Sequence, residues 1–216
     1  MRDADTRLIA HTLPYPIARA VCAMDAEPPH APERKLRHLL FALESLLQLL
    51  GSVVLVDAYE QRHEPDVQAC LKGLRRDHHL SLGLWQWVLT ALARVLPDPF
   101  VPALSQRAAQ DTFVARIARL TDARNQLSHP ACAIDPAQAR DRLAALRPDF
   151  DALVRSVRFL GGYHLVGVAE PATPVSQGSR AMLVPLRGRR IATRDVPLTF
   201  ASHVAHRRAD PGTVCP

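Results

Sequence analysis

Lysine is almost missing from this chain: Lys35 and Lys72 are the only two among 27 basic residues, so nearly every cation is an arginine. Such a bias follows codon composition and is not by itself recognition chemistry. Cysteine is scarce and scattered. Cys22, Cys70, Cys132 and Cys215 include no pair two to four residues apart, so neither a zinc knuckle nor a disulfide framework is signalled, and a reducing compartment fits best. Long apolar runs are lacking too, since the longest, Leu46 to Leu55, is interrupted by Gln48, Gly51 and Ser52, and the charged opening Met1 to Thr6 is no signal peptide. The expectation is a soluble, cytoplasmic protein with no membrane partner. No Gly-x-Ser-x-Gly or Walker-type motif occurs, and no carboxylates cluster to hold magnesium, so no metal or cofactor is expected. His78-His79 and His203-x-x-His206 read as solvated surface, because neighbouring histidines face apart.

What the chain does carry is an uneven charge. Of a net +6, residues 1–154 contribute nothing and residues 155–216 contribute all of it. Arg187, Arg189, Arg190 and Arg194 mark that end as a candidate contact for RNA phosphates or an acidic partner. A solvated basic surface, with few aromatics to stack bases, is the equal alternative.

Hydrophobic spacing organises the rest. With 216 residues and 48% hydrophobic content, one core with a small appendage is expected. Residues 1–31 read as an N-terminal arm with a short helix over Ile17 to Met24, bracketed by prolines. Leu36, Leu39, Leu40, Leu43, Leu46, Leu47, Leu50, Val53 and Val54 then follow the helical grid to about Tyr59. A weaker helix is predicted over Asp66 to Arg76. Ser81 offers an N-cap for a helix stopped by Pro97, with one of Trp85 and Trp87 expected in the core and the other at an edge. A third long helix is predicted over Arg107 to Ser128, closed by Pro130. A fourth is predicted from Pro136, capped by Asp135 or its neighbour, to Gly161-Gly162 and kinked or divided at Pro148. These four long amphipathic helices predict a mainly α four-helix bundle over residues 32–162. Alternation after Gly162 predicts a small basic β hairpin or meander over 163–200, and residues 201–216 are expected to be disordered.

The end of the third predicted helix carries Arg124-Asn125-Gln126-Leu127-Ser128-His129-Pro130. On a straight helix Arg124 and His129 diverge by roughly 140°. The break at Pro130 releases His129 to swing back over the helix end, near Asn125 and Asp122. An arginine, an amide and a histidine then converge. Guanidinium forks bind phosphate, and a histidine near its pKa moves protons. RNA supplies its own nucleophile, so 2′-hydroxyl attack would leave a 2′,3′-cyclic phosphate and a 5′-hydroxyl without any metal. The alternative is structural: Arg124 pairs with a carboxylate such as Asp122 or Asp151, and His129 caps the helix.

Arg124, Asn125 and His129 in this position resemble the R-N-x-x-x-H signature of HEPN domains, over about residues 32–162. The resemblance implies a metal-independent endoribonuclease of a bacterial defence or toxin system, working as a homodimer with two motifs across a composite cleft. It implies that Arg124 holds the phosphate, His129 acts on the 2′-hydroxyl or leaving group, and Asn125 orients His129, with Asp122 and Ser128 in support. Partners implied are RNA, a second copy and a cognate antitoxin or defence-system protein. The opening Leu13-Pro14-Tyr15-Pro16-Ile17-Ala18 and the β extension are similar to N-terminal portions of larger bacterial members. The rival expectation is a non-catalytic HEPN adaptor that dimerises and docks an effector or nucleic acid.

Overall fold

Proline sets where most of the long helices begin. Pro32, Pro65, Pro102 and Pro136 each stand at a first helical position, where a missing N–H costs nothing and the fixed φ already suits the helix. The computed structural model describes residues 12–74, 81–127, 135–163, 166–169, 180–185 and 197–199. Helix dominates them. The elements are α1 (Tyr15–Ala26), α2 (Pro32–Glu60), α3 (Pro65–Leu74) and α4 (Leu82–Trp87), the last continued by a π turn (Val88–Leu92) and a final turn (Ala93–Val95). Then follow α5 (Pro102–Ala108), α6 (Asp111–Leu127) and α7 (Pro136–Ser156), which ends in a 3-10 turn (Arg158–Gly162). Three short strands are described after it, β1 (Val166–Ala169), β2 (Arg180–Pro185) and β3 (Pro197–Thr199), paired antiparallel in that order.

Helix α2 is the axis of packing. At 29 residues, with an 18-residue window of mean hydropathy 2.1, it is long and apolar enough to cross a membrane by length and composition. This corrects the expectation that no apolar stretch is long enough, because Gln48, Gly51 and Ser52 interrupt the run of letters but not the helix. Against α2 lie α1, α7, α4 and the π turn, and they bury Leu39, Leu43, Leu46, Leu47 and Leu50 completely. Each such leucine contributes about 1.5–3 kcal/mol relative to exposure. Ile17, Val21 and Met24 of α1 join the same core, as do Phe113 and Ile117 of α6 and Phe150 and Leu153 of α7.

Both cap expectations hold. Ser81 Oγ accepts from Leu84 N at 3.2 Å, and the Asp135 carboxylate accepts from Gln138 N at 2.8 Å, each satisfying an orphan N–H of a first turn. Other expectations change. The predicted third helix is two, broken at Ala109 and Gln110, where the Gln110 carbonyl already accepts from Phe113 N and Val114 N and so starts α6 afresh. Ala109, at the break, is exposed. Pro148 does not divide α7, which runs unbroken to Ser156 and is followed by the 3-10 turn that reaches the glycine pair. Both tryptophans are half-buried; the Trp85 ring lies so close over Gly51 that a Cβ there would come 2.5 Å from Cε3.

Candidate functional site

Helix α6 presents three arginines, and each has a carboxylate. Arg119 grips Asp149 of α7 through two parallel bonds, Nε to Oδ2 and Nη2 to Oδ1, both 2.9 Å. Arg116 Nε stands 3.5 Å from the same Asp149 Oδ1. The hydrogen bonds from Arg119 hold the Asp149 carboxyl below its ordinary value; partial burial pulls the other way, and the charges of Arg119 and Arg116 add to the lowering. These two arginines serve the α6–α7 contact.

Arg124, in the last turn of α6, is held differently. Its Nε donates to Glu44 Oε1 of α2, 80 residues away in the chain. Its Nη1 reaches Asn125 Oδ1 at 3.5 Å, the long limit of a hydrogen bond. Both side chains of the Arg124–Glu44 pair keep about 30% of their surface, so the pair is half-buried and open to water on one side. Asn125 and Asp122 are exposed on the same end of α6. The structure therefore brings together Arg124, Asn125 and an acid the sequence reading missed. The structural alternative named Asp122 or Asp151 as the partner of Arg124. The acid on its Nε is Glu44 instead, while Asp151 is taken up by Arg147 Nε at 2.8 Å. Glu44 had a signal: it is the single charged residue between His38 and Asp57, inside an otherwise uncharged stretch. A lone acid on an apolar helix needs a cation or water, but spacing could not say which arginine supplies it.

Ser128 and His129 lie outside the described residues, as do Arg187, Arg189, Arg190 and Arg194 of the basic extension and residues 201–216. Among the described residues no three His, Cys, Asp or Glu side chains gather as a metal site.

Two further polar clusters tie loops and helices together. Arg147 bridges Asp151 and Asp25, its Nη2 standing 3.0 Å from Asp25 Oδ1, and so joins α7 to α1. Burial works against its charge, yet the bonds and charges of Asp151 and Asp25 prevail and raise its pKa. At the end of α2, Asp57 and Gln61 are both 4% exposed. Gln61 exchanges bonds with the backbone of Asp98 at 2.7 and 3.1 Å, and Asp57 accepts from Gln61 Nε2 at 2.8 Å and from Phe100 N at 2.6 Å. The proline-rich turn before α5 is thereby fastened to α2.

Comparison with models of protein families, with curated proteins and with solved structures finds no match for this chain. Its functional reading rests on its own residues.

Proposed function

We propose that this chain is a HEPN-like helical bundle with a basic β extension that acts in the cytoplasm as a metal-independent endoribonuclease of a bacterial defence or toxin system. The supporting observation is Arg124 and Asn125 together on the open last turn of α6, with the guanidinium anchored by Glu44 and the chain leading directly into Ser128 and His129. An anchored guanidinium loses less rotamer freedom when it meets a phosphate, which favours binding in a fixed orientation.

Charge balance then says what else the site needs. Arg124 contributes +1 and Glu44 −1, and the end of a helix carries roughly −0.5. A phosphodiester approaching these groups alone would be repelled. A protonated His129 reverses the balance, whereas a second copy brings the same Arg124–Glu44 pair and helix end and adds net positive charge only through its own protonated His129. The histidine is therefore a requirement of the reading, and the homodimer is what the HEPN resemblance implies. In it, Arg124 holds the equatorial phosphate oxygens, His129 moves the proton of the 2′-hydroxyl or the leaving oxygen, and Asn125 keeps His129 in place. The 2′-oxygen forms a bond to phosphorus as the bond to the 5′-oxygen breaks, giving a 2′,3′-cyclic phosphate and a 5′-hydroxyl. Asp122 and Ser128 support the turn; Arg187, Arg189, Arg190 and Arg194 would contact RNA or a cognate antitoxin.

The test is cleavage of total and transfer RNA in EDTA by the full chain beside Arg124→Ala and His129→Ala, with end groups identified. Cyclic-phosphate ends are expected from the wild type, with at least a hundredfold loss in each variant, in line with removal of a proton-transfer group or an oxyanion donor. Equal cleavage by all three would end the proposal.

One observation favours a second reading. The Nε edge of Arg124 is already occupied by an acid from another helix, which suits an arginine that fastens α6 to α2. A non-catalytic HEPN adaptor, dimeric and docking an effector or nucleic acid, is the function left if the wild type cleaves nothing.

A further inference from the structure

Unlike the α6 arginines and Arg147, three cations gather where, among the described residues, no carboxylate meets them. A cleft of about 330 Å³ opens between α5 and the end of α7, lined by Gln106, Arg107, Gln110, Arg155, Arg158 and Phe159. Arg155 closes the last turn of α7 and Arg158 opens the 3-10 turn after it. Both are exposed, and among the described residues neither makes an ion pair, while Arg107 Nη1 donates only to Gln110 Oε1 at 3.1 Å. Elsewhere in the fold acids are spent on arginines: Glu44 on Arg124, Asp149 on Arg116 and Arg119, Asp151 and Asp25 on Arg147.

Three like charges converging on one concavity raise its potential, and low-dielectric walls focus it. Guanidinium forks suit phosphate oxygens through paired, charge-assisted bonds. Beside them the cleft carries the half-buried Phe159, packed on the core, and the amides of Gln106 and Gln110, each offering a donor pair, although the Gln110 oxygen already takes a bond from Arg107. Such a set fits a phosphate joined to a planar, hydrogen-bonding ring: the ring lies along Phe159, the amides meet its edge, and the phosphate lies among the arginines. The volume falls at the small end of ligand pockets. From this juxtaposition we infer that the cleft binds a small phosphate ester bearing a heterocyclic ring, of which a nucleoside monophosphate is the simplest member. Arg124 lies about 20 Å from the start of α6 at 1.5 Å of rise per residue, so this site is separate from the R-N-x-x-x-H motif and stands whether or not the chain cleaves RNA.

Titration calorimetry on the full chain decides it, with adenosine monophosphate, ribose 5-phosphate, adenosine and inorganic phosphate as probes. Saturable binding of adenosine monophosphate, tighter than that of the other three, is expected. Arg155→Ala and Arg158→Ala should each weaken it about ten- to a hundredfold, the weight of a hydrogen bond to a charged group. Both are exposed substitutions, and unchanged thermal melting would show that they leave the fold intact. The inference is overturned if the nucleotide does not bind saturably, if both arginine variants bind as well as the wild type, or if inorganic phosphate binds as tightly as the nucleotide.

Discussion

Asp57 shows how much a single side chain can fix. Its two oxygens take bonds from Gln61 and from the Phe100 amide, and the Asp57 side chain is itself buried. Asp57→Ala would leave the Phe100 amide N–H and a Gln61 side-chain N–H without that acceptor. An orphaned buried donor costs about 1–3 kcal/mol, so the variant is expected to lose that much stability in urea denaturation, and Asp57→Asn, which keeps one acceptor, to lose less. A loss below a few tenths of a kcal/mol would mean that the turn before α5 relaxes to meet water. Half of this cluster is readable in sequence, since Asp57 and Gln61 are four apart and face each other on a helix. The other half is not: the backbone of Asp98 and Phe100 enters from some 40 residues away, and no local pattern announces it. Glu44 and Arg124 repeat the lesson, with each residue conspicuous alone and their pairing visible only in the fold.

At the scale of elements, α2 and α4 approach closely at Gly51. In an isolated helix, alanine in place of glycine stabilises by about 1 kcal/mol. Here the added methyl would meet the Trp85 ring at 2.5 Å, and a ring wedged beside a buried helix cannot swing aside as a flexible chain would. Overpacking of this kind costs about 1–3 kcal/mol, so sterics win and Gly51→Ala should lower the urea midpoint; a raised midpoint would show that Trp85 moves freely. The helices themselves were largely legible, because their apolar spacing, prolines and caps agree. The break at Ala109 and Gln110 was not, because Arg107 to Leu127 keeps helical spacing across it. What separates α5 from α6 there is packing: Arg94 Nε donates to the Ala108 carbonyl at 2.8 Å and caps the end of α5. That cap comes from the final turn after α4, beyond the reach of a local reading.

For the molecule as a whole, ion pairs join the helices around the core, and acid should loosen them. The Asp149 carboxyl is held below its ordinary value, first by the hydrogen bonds of Arg119. A group with a lowered folded pKa stabilises fully above its unfolded value, about 3.9 for aspartate, and loses that contribution as pH falls through the lower folded value. The stability difference between the wild type and Asp149→Asn should therefore be constant from neutral pH to about 5 and shrink below about 4. Urea midpoints measured across that range check it, and a gap that does not narrow in acid would remove Asp149 from the account. The cluster is partly exposed, so added salt should shrink the same gap at neutral pH.

Periodicity, proline placement and capping residues are local properties, and the sequence alone determined from them a mainly helical chain with α2 as its most apolar element and with a long helix that carries the Arg124-Asn125 pair in its last turns. Pairing between distant residues is a property of packing, and only the tertiary structure decided it. It gave Arg124 to Glu44, spent the other α6 arginines on Asp149, and left Arg107, Arg155 and Arg158 around a cleft with no acid among the described residues. The physical reason is range: backbone propensities act within a few residues, whereas a charge is satisfied by whichever opposite charge the folded core carries within hydrogen-bonding distance.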